Sequence, residues 1–346
     1  MSQSTLRQMM PPVLVVFAIA LLTIVFSIRN SAREQGPDNT LQSVRFNMGW
    51  LPQGSMAGIF VAIDKGYYAQ EGLKVAPMRG FGGIRTVNEL DQGMFEFAYA
   101  DPLSVALNRA NGGKTKMIGG INMKFPAGAC YIKERHRVSG PADLAGLTFG
   151  AGQSSSVQTL LPVWLKANGV NPESVRRIQL DPAIVVASLV EGKIDAAECW
   201  LGNSMALFEK SAALAGLTVG RLAYADFGLD VYGSGFVTRD DFIVSNSEVV
   251  RKFLYASYRG YAEAGEKPAD ALAIILRHYP LLDKAVTEKQ IRETAVLMAA
   301  EGGSHRLDRA KVQRIVTYLE SAGQLKDFET ADSLFTNNFV PIRPAS

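Results

Sequence analysis

The most constraining feature of the chain is a passage that occurs twice, at 87–101 and again at 186–200. With Gly93 set on Gly192, 99 positions apart (192 − 93), Val87 falls on Val186, Leu90 on Leu189, Phe95 on Ile194, Glu96 on Asp195 and Ala98 on Ala197. Both copies read V-x-x-L-x-x-G-x-[FI]-[ED]-x-A. Apolar residues three apart predict the end of an amphipathic helix, the glycine its C-terminal stop, and the apolar run after it a buried strand. Each copy is therefore expected to be a helix-turn-strand unit of an α/β layer. The copies finish in different chemistry, Tyr99-Ala100-Asp101 and Glu198-Cys199-Trp200. Open α/β sheets place ligands beyond the carboxyl ends of their strands. Two such ends facing each other predict a site between two lobes.

At 346 residues the chain suits two ordinary domains, because single cores stop growing at roughly 250–300 residues. A net charge of +3 without a Lys/Arg block gives no footprint for nucleic acid. Residues 1–42 are expected to stand outside the fold. The apolar run 13–26, preceded by Arg7 and followed by Arg29 and Arg33, has the form of a secretory signal or a short membrane anchor. Export follows from either, with cleavage after Ala32 or retention as a tether both open. The two cysteines, Cys130 and Cys199, fall in apolar runs and are expected as buried free thiols. His136, His278 and His305 lie in polar surroundings and are expected at the surface, which disfavours zinc or histidine catalysis.

Along the mature chain, 44–50 alternates as a first strand, followed by a loop at 51–55 and a helix at 56–65. A strand at 74–78 precedes Phe81-Gly82-Gly83, which opens a helix at 84–92 whose free amides could meet a ligand's polar end. Further strands are expected at 115–121, 147–151, 175–180 and 217–223, and a polar loop, Gly152 to Ser156, precedes another helix. Beyond residue 246 the pattern is helical, at 247–263, 268–279 and 287–298, and is expected to pack on the first lobe.

The run from Trp50, W-L-P-x(4)-A-G-I-F-V-A-I-D-K-G-Y-Y-A-Q-E-G-L-K-V, resembles the opening of the NMT1/THI5-like periplasmic binding proteins, which serve nitrate, sulfonate, taurine and thiamine-pyrimidine transporters. P-A-D-L-A-G-L-T-F-G from Pro141 is similar to the same group's second-lobe opening. The resemblance implies a two-lobed α/β periplasmic-binding-protein fold with a two-strand hinge, a ligand in the cleft, and delivery to an ABC permease and its ATPase. The small-residue stretches 127–132 and 232–237 suit the hinge, giving lobe 1 as 43–130 with 235–346 and lobe 2 as 131–234. Fungal pyrimidine synthases share this fold but use an active-site histidine and a Cys-rich motif, and neither pattern stands in this sequence. A membrane-tethered sensor is a third reading.

Candidate ligand residues are Trp50, Gln53, Ser55, Phe81, Gly82, Tyr99, Asp101, Ser154, Ser155, Glu198, Trp200 and Tyr232. Trp50 at a strand end can stack on a planar ligand. A carboxylate buried without a cation is costly, so Asp101 or Glu198 facing the cleft points to an amine-bearing heteroaromatic such as a thiamine pyrimidine precursor. Asp101 before Pro102 reads better as a helix cap, and Glu198 equally well as the partner of an arginine. The hydroxyls and amides of Ser154, Ser155 and Ser156 suit an anion instead, which keeps a sulfonate or taurine open. No cofactor or metal is expected, and the chain is read as a monomer.

Overall fold

The computed structural model describes residues 41–321, 323–325 and 330–341. The apolar run 13–26, read as signal or anchor, lies outside the described residues. Among the described residues no helix is long and apolar enough to cross a membrane.

Strands β1 (Gln42–Asn47), β2 (Leu73–Met78), β3 (Phe97–Ala100) and β4 (Thr115–Gly120) begin one sheet. The chain then crosses to a second, built from β5 (Ala127–Ile132), β6 (Thr148–Gly152), β7 (Arg176–Leu180), β8 (Ala196–Trp200) and β9 (Val219–Ala223). It returns to the first sheet as β10 (Gly235–Arg239). The orders are β2-β1-β3-β10-β4 and β7-β6-β8-β5-β9. In each, the strand arriving from the other lobe runs antiparallel between parallel-wound neighbours, β10 between β3 and β4, β5 between β8 and β9. The two-lobed α/β architecture read from the sequence is therefore present.

Helices cover the sheets: α1 (Ala57–Asp64), α2 (Tyr67–Gln70), α3 (Gly83–Asp91) and α4 (Pro102–Ala110) in the first lobe. The second carries α5 (Ser156–Ala167), α6 (Val185–Val190) and α7 (Ser204–Leu214). After β10 come α8 (Asp240–Ser245), α9 (Ser247–Glu266), α10 (Pro268–His278), α11 (Lys284–Ala299) and α12 (Arg309–Ser321). The apolar stripe of α9 seals the first sheet, with Phe253 stacked on Phe97 at 3.9 Å and set edge-on to Phe236. Burying such a ring contributes about 1.5–3 kcal/mol.

The repeated passage is one unit used twice. α3–β3 and α6–β8 put their strands third in each sheet. Both helices end in a left-handed glycine, Gly93 at φ 75° and Gly192 at φ 77°. Around each, the glycine N–H bonds the carbonyl three residues back and the next N–H the carbonyl five back: Gly93 to Leu90 with Met94 to Glu89, and Gly192 to Leu189 with Lys193 to Ser188. The acid in the motif has one job in both copies. Glu96 accepts the backbone N–H of Arg45 at 2.6 Å, and Asp195 that of Thr148 at 2.8 Å, tying β3 to β1 and β8 to β6.

Three expectations are corrected. The stretch 127–132 lies wholly within the second sheet, β5 pairing with β8 from Ala127 onward, and of 232–237 only 232–234 belong to a crossing, β10 pairing with β3 from Gly235 onward; the small residues of both let neighbouring chain approach closely. The chain crosses at 121–126 and 228–234, which bond each other through Asn122 N–H to Ser234 O (2.8 Å) and Gly233 N–H to Asn122 O (2.9 Å). The cysteines are joined: Cys130 pairs in register with Ala197, so Cys199 stands diagonally across on the same face, and the Cys130–Cys199 disulfide has a Cα–Cα distance of 5.8 Å. Of the histidines, His278 is exposed as expected while carrying a partner, and His305 is the one drawn inward. His136 contacts Asp195, His278 contacts Asp64, and His305 stacks on Tyr258 at 4.2 Å, its burial pushing the imidazole down to about 4.

Candidate functional site

A cavity of about 400 Å³ lies between the lobes, where the carboxyl ends of β1, β3, β6 and β8 converge. From the first lobe Met48, Trp50 and Gln53 follow β1, while Tyr99 lies in β3 and Asp101 follows it. Gly152 ends β6 and Ser155 follows in the loop after it, while Glu198 and Trp200 lie in β8. The lobes touch across it. The N–H of Ile84, at the start of α3, donates to the carbonyl of Ser154 at 3.2 Å. Gly82, at φ 120°, has no room for a side chain: a Cβ would stand 2.7 Å from the same oxygen. The Trp50 indole reaches the second lobe and lies on Gly152.

The floor is acidic. Glu198 Oε1 accepts from the Ser155 hydroxyl at 2.7 Å and from the indole N–H of Trp200, whereas Oε2 has no partner among the described residues. Burial pushes the Glu198 carboxyl up to about 7, with nearby Asp101 adding to the rise and the Ser155 and Trp200 donors opposing it. Its accessible surface faces the cavity rather than bulk water, which is why a side chain that is not fully covered still behaves as desolvated. Near it the Tyr224 hydroxyl is buried without a partner among the described residues. Asp101 caps α4, accepting from the Ser104 N–H at 2.9 Å and the Ser104 hydroxyl at 2.8 Å. Burial raises its carboxyl as well, against the Ser104 and Ser156 donors. The capping role read from the Asp-Pro sequence and a place on the cavity wall are thus held by one side chain.

Of the twelve residues predicted, Trp50, Gln53, Gly82, Tyr99, Asp101, Ser155, Glu198 and Trp200 line the cavity, and Ser55, Phe81, Ser154 and Tyr232 do not. Ser55 is buried beneath α9, its carbonyl taken by Tyr261. Phe81 points outward between the guanidinium groups of Arg79 and Arg85. Ser154 sits at φ 62° and presents its carbonyl, not its hydroxyl, to the other lobe. Tyr232 lies in the second crossing with Lys311 over its ring at 4.6 Å, and its oxygen accepts the Asp308 N–H. Ser155 is committed to Glu198 and to the N–H of Val157, so the serine cluster read as an anion site spends its capacity on the protein's own carboxylates.

The sequence reading missed the outer wall. Pro182, Val185 and Val186 with Asn203, Ser204, Leu207 and Phe208 supply it from the second lobe, and Leu281 to Asp283, Val286, Thr287 and Gln290 from the first. One signal was available: Thr287, Gln290 and Thr294 form a polar stripe at i, i+3 and i+7 of a helix, a pattern that ordinarily faces water. Here it is buried, with Gln290 at 5% exposure.

A model of the NMT1/THI5-like family matches residues 53–271, more than half of the chain. The chain belongs to the NMT1/THI5-like family. The riboflavin-binding protein RibY of Chloroflexus aurantiacus is 27% identical over 312 residues, covering 87% of each chain. A formylaminopyrimidine-binding protein of Halalkalibacterium halodurans is 21% identical over 324 residues, covering 92% of this chain and 96% of that one. The alkanesulfonate-binding protein SsuA of Xanthomonas axonopodis pv. citri superposes with a TM-score of 0.65 at 16% identity, over 85% of this chain and 98% of its own. The periplasmic nitrate-binding protein NrtA of Synechocystis gives 0.64 at 12%, over 86% and 87%. At such identities the structural likeness establishes the fold of this NMT1/THI5-like chain.

Proposed function

We propose that the protein is the periplasmic solute receptor of an ABC importer, closing its lobes on a neutral or cationic heteroaromatic ligand that presents N–H donors. The observation that carries the ligand class is the charge of the wall. Every ionisable group with a strong charge lining the cavity is an acid, Asp101, Glu198 and Asp283, and no Lys, Arg or His stands among the lining residues. Asp283 has Lys210 as its partner, but among the described residues Asp101 and Glu198 have no cation, so an anionic solute could enter only by keeping them protonated or by adding to an uncompensated charge, whereas an N–H donor or a cation favours their carboxylates. Trp50 and Trp200 offer ring faces, and the Gln53 amide, which has no partner among the described residues, offers a donor and an acceptor.

Volume refines the class. About 400 Å³ is room for roughly a dozen waters. A fused-ring system of flavin type fills that space, while a lone pyrimidine leaves it partly wet, and the RibY relative points the same way. Sulfonate and taurine, open on the sequence, are disfavoured by the acidic wall. The reading is of a receptor rather than a synthase: no histidine lines the cavity and both cysteines are held in a disulfide.

A thermal-shift series with riboflavin, a formylaminopyrimidine, taurine, an alkanesulfonate and nitrate tests it. Riboflavin at 100 times its dissociation constant adds about 2.7 kcal/mol of stability. Stabilisation by nitrate or sulfonate alone would sink the proposal.

A further inference from the structure

Besides the Ile84–Ser154 bond, the polar contacts described between the lobes at the cavity mouth converge on one helix. α11 is anchored in the first lobe by Ile291, and its opposite face meets α7 and the turn before it. Asp283, its N-cap, pairs with Lys210, and Lys289 with Glu209. Glu293 accepts the backbone N–H of Gly202 at 2.7 Å. Gln290 spans the gap: its Nε2 donates to the carbonyl of Asn203 at 2.7 Å while its Oε1 accepts from Gly54 N–H at 2.8 Å. At the far end the carbonyl of Leu297 accepts from Met123 N–H at 3.1 Å, inside the first crossing. One helix thus runs from the mouth of the cavity to the hinge.

Two of these partners, Gly202 N–H and the Asn203 carbonyl, belong to the second lobe, and so do Lys210 and Glu209. All four contacts part when the lobes separate. An apolar seam would expose fresh hydrocarbon on opening and hold the lobes shut. Polar contacts instead exchange protein partners for water, so each biases the equilibrium only a few-fold. We propose that α11 is a reversible latch. Gln290 and Glu293 are positioning residues that hold the lobes in the closed arrangement, and the Lys210–Asp283 and Lys289–Glu209 pairs tune how much of the time they stay there. The inference rests on the receptor reading for its purpose, since closure matters only if it retains a solute.

The test needs no ligand. Spin labels placed in the full chain at Leu214 of α7 and Val296 of α11, 80% and 72% exposed, report the distance between the lobes. Reversing one charge, Glu209→Lys or Lys289→Glu, is expected to lower the closed-to-open ratio about two- to fivefold. The double reversal should restore it, an outcome that general damage to the fold would not give. Gln290→Leu should lower the ratio by a similar few-fold. Identical distance distributions in every variant, or a double reversal no better than either single, overturn the latch. Failure of riboflavin to bind bears on the ligand class alone, because these distances are read without it.

Discussion

Near neutral pH the Glu198 carboxyl exchanges between acid and carboxylate, because burial has moved it from 4.5 to about 7. Between those values the folded protein holds a proton that the unfolded chain releases, so stability falls as pH rises through the window. The penalty is complete above about 7 and absent below 4.5. Glu198→Gln keeps the shape and removes the titration. Relative to the parent, it should be more stable at pH 8 by on the order of 2–3 kcal/mol and nearly equal at pH 4. Urea unfolding at the two pH values checks this, and a difference independent of pH would show that desolvation of Glu198 is not the cause. Asp101 behaves differently because its two oxygens are spoken for. Asp101→Ala strips the cap of α4 and should cost about 1–2 kcal/mol, whereas Asp101→Asn retains one acceptor and should cost less. Chemical denaturation of both variants separates capping from charge.

The start of α3 and the loop after β6 meet at a point with no slack. Gly82→Ala would drive a methyl into the Ser154 carbonyl and load a backbone at φ 120° that L-residues rarely adopt. If closure retains the solute, affinity should fall by about tenfold or more, through faster dissociation, while the circular dichroism spectrum is unchanged. Stopped-flow release of riboflavin would measure it, and an unaltered off-rate would mean that the lobes close elsewhere. Within the second sheet, the disulfide encloses a separation of 69 residues, so replacing Cys130 and Cys199 together should cost about 4 kcal/mol by loop entropy. Elements differ in how plainly the sequence announced them. The α3–β3 and α6–β8 units were legible because the same glycine and acid do the same local work in each copy. The disulfide was not, since it depends on β5 lying beside β8 across 69 residues and on a diagonal register that no local pattern encodes. The wall supplied by α11 was hidden for a related reason: Gln290 meets Gly54 and Asn203 only after chain 236 and 87 positions away has folded around it. Ser154 and Tyr232 were misplaced because residue type foretold a polar or aromatic contact, but backbone geometry turned one hydroxyl away and the crossing took the other ring.

Two lobes joined by two crossings could unfold separately, and the packing argues that these do not. From Gln42 onward the chain forms one compact unit. A single apolar cluster runs from Val87, Leu90 and Leu103 of the first lobe to Phe149, Leu160 and Trp164 of the second. α12 supplies the bridge, with Val312, Ile315, Val316 and Leu319 all buried in that cluster. Its Lys311, 4% exposed, ties the crossings together, donating to the Met123 carbonyl at 3.1 Å and pairing with Asp230 at 3.2 Å and with Glu301. Any lobe rotation would therefore have to pivot about α12 without exposing it, which would confine motion to the mouth, where α11 makes polar contacts. Calorimetry should show one transition whose calorimetric and van't Hoff enthalpies agree. Ile315→Ala, by opening a cavity in the bridge, should lower stability by about 2–5 kcal/mol and split or broaden that transition. A parent that already unfolds in two steps would show that the shared cluster does not couple the lobes, and that the hinge is a loose joint.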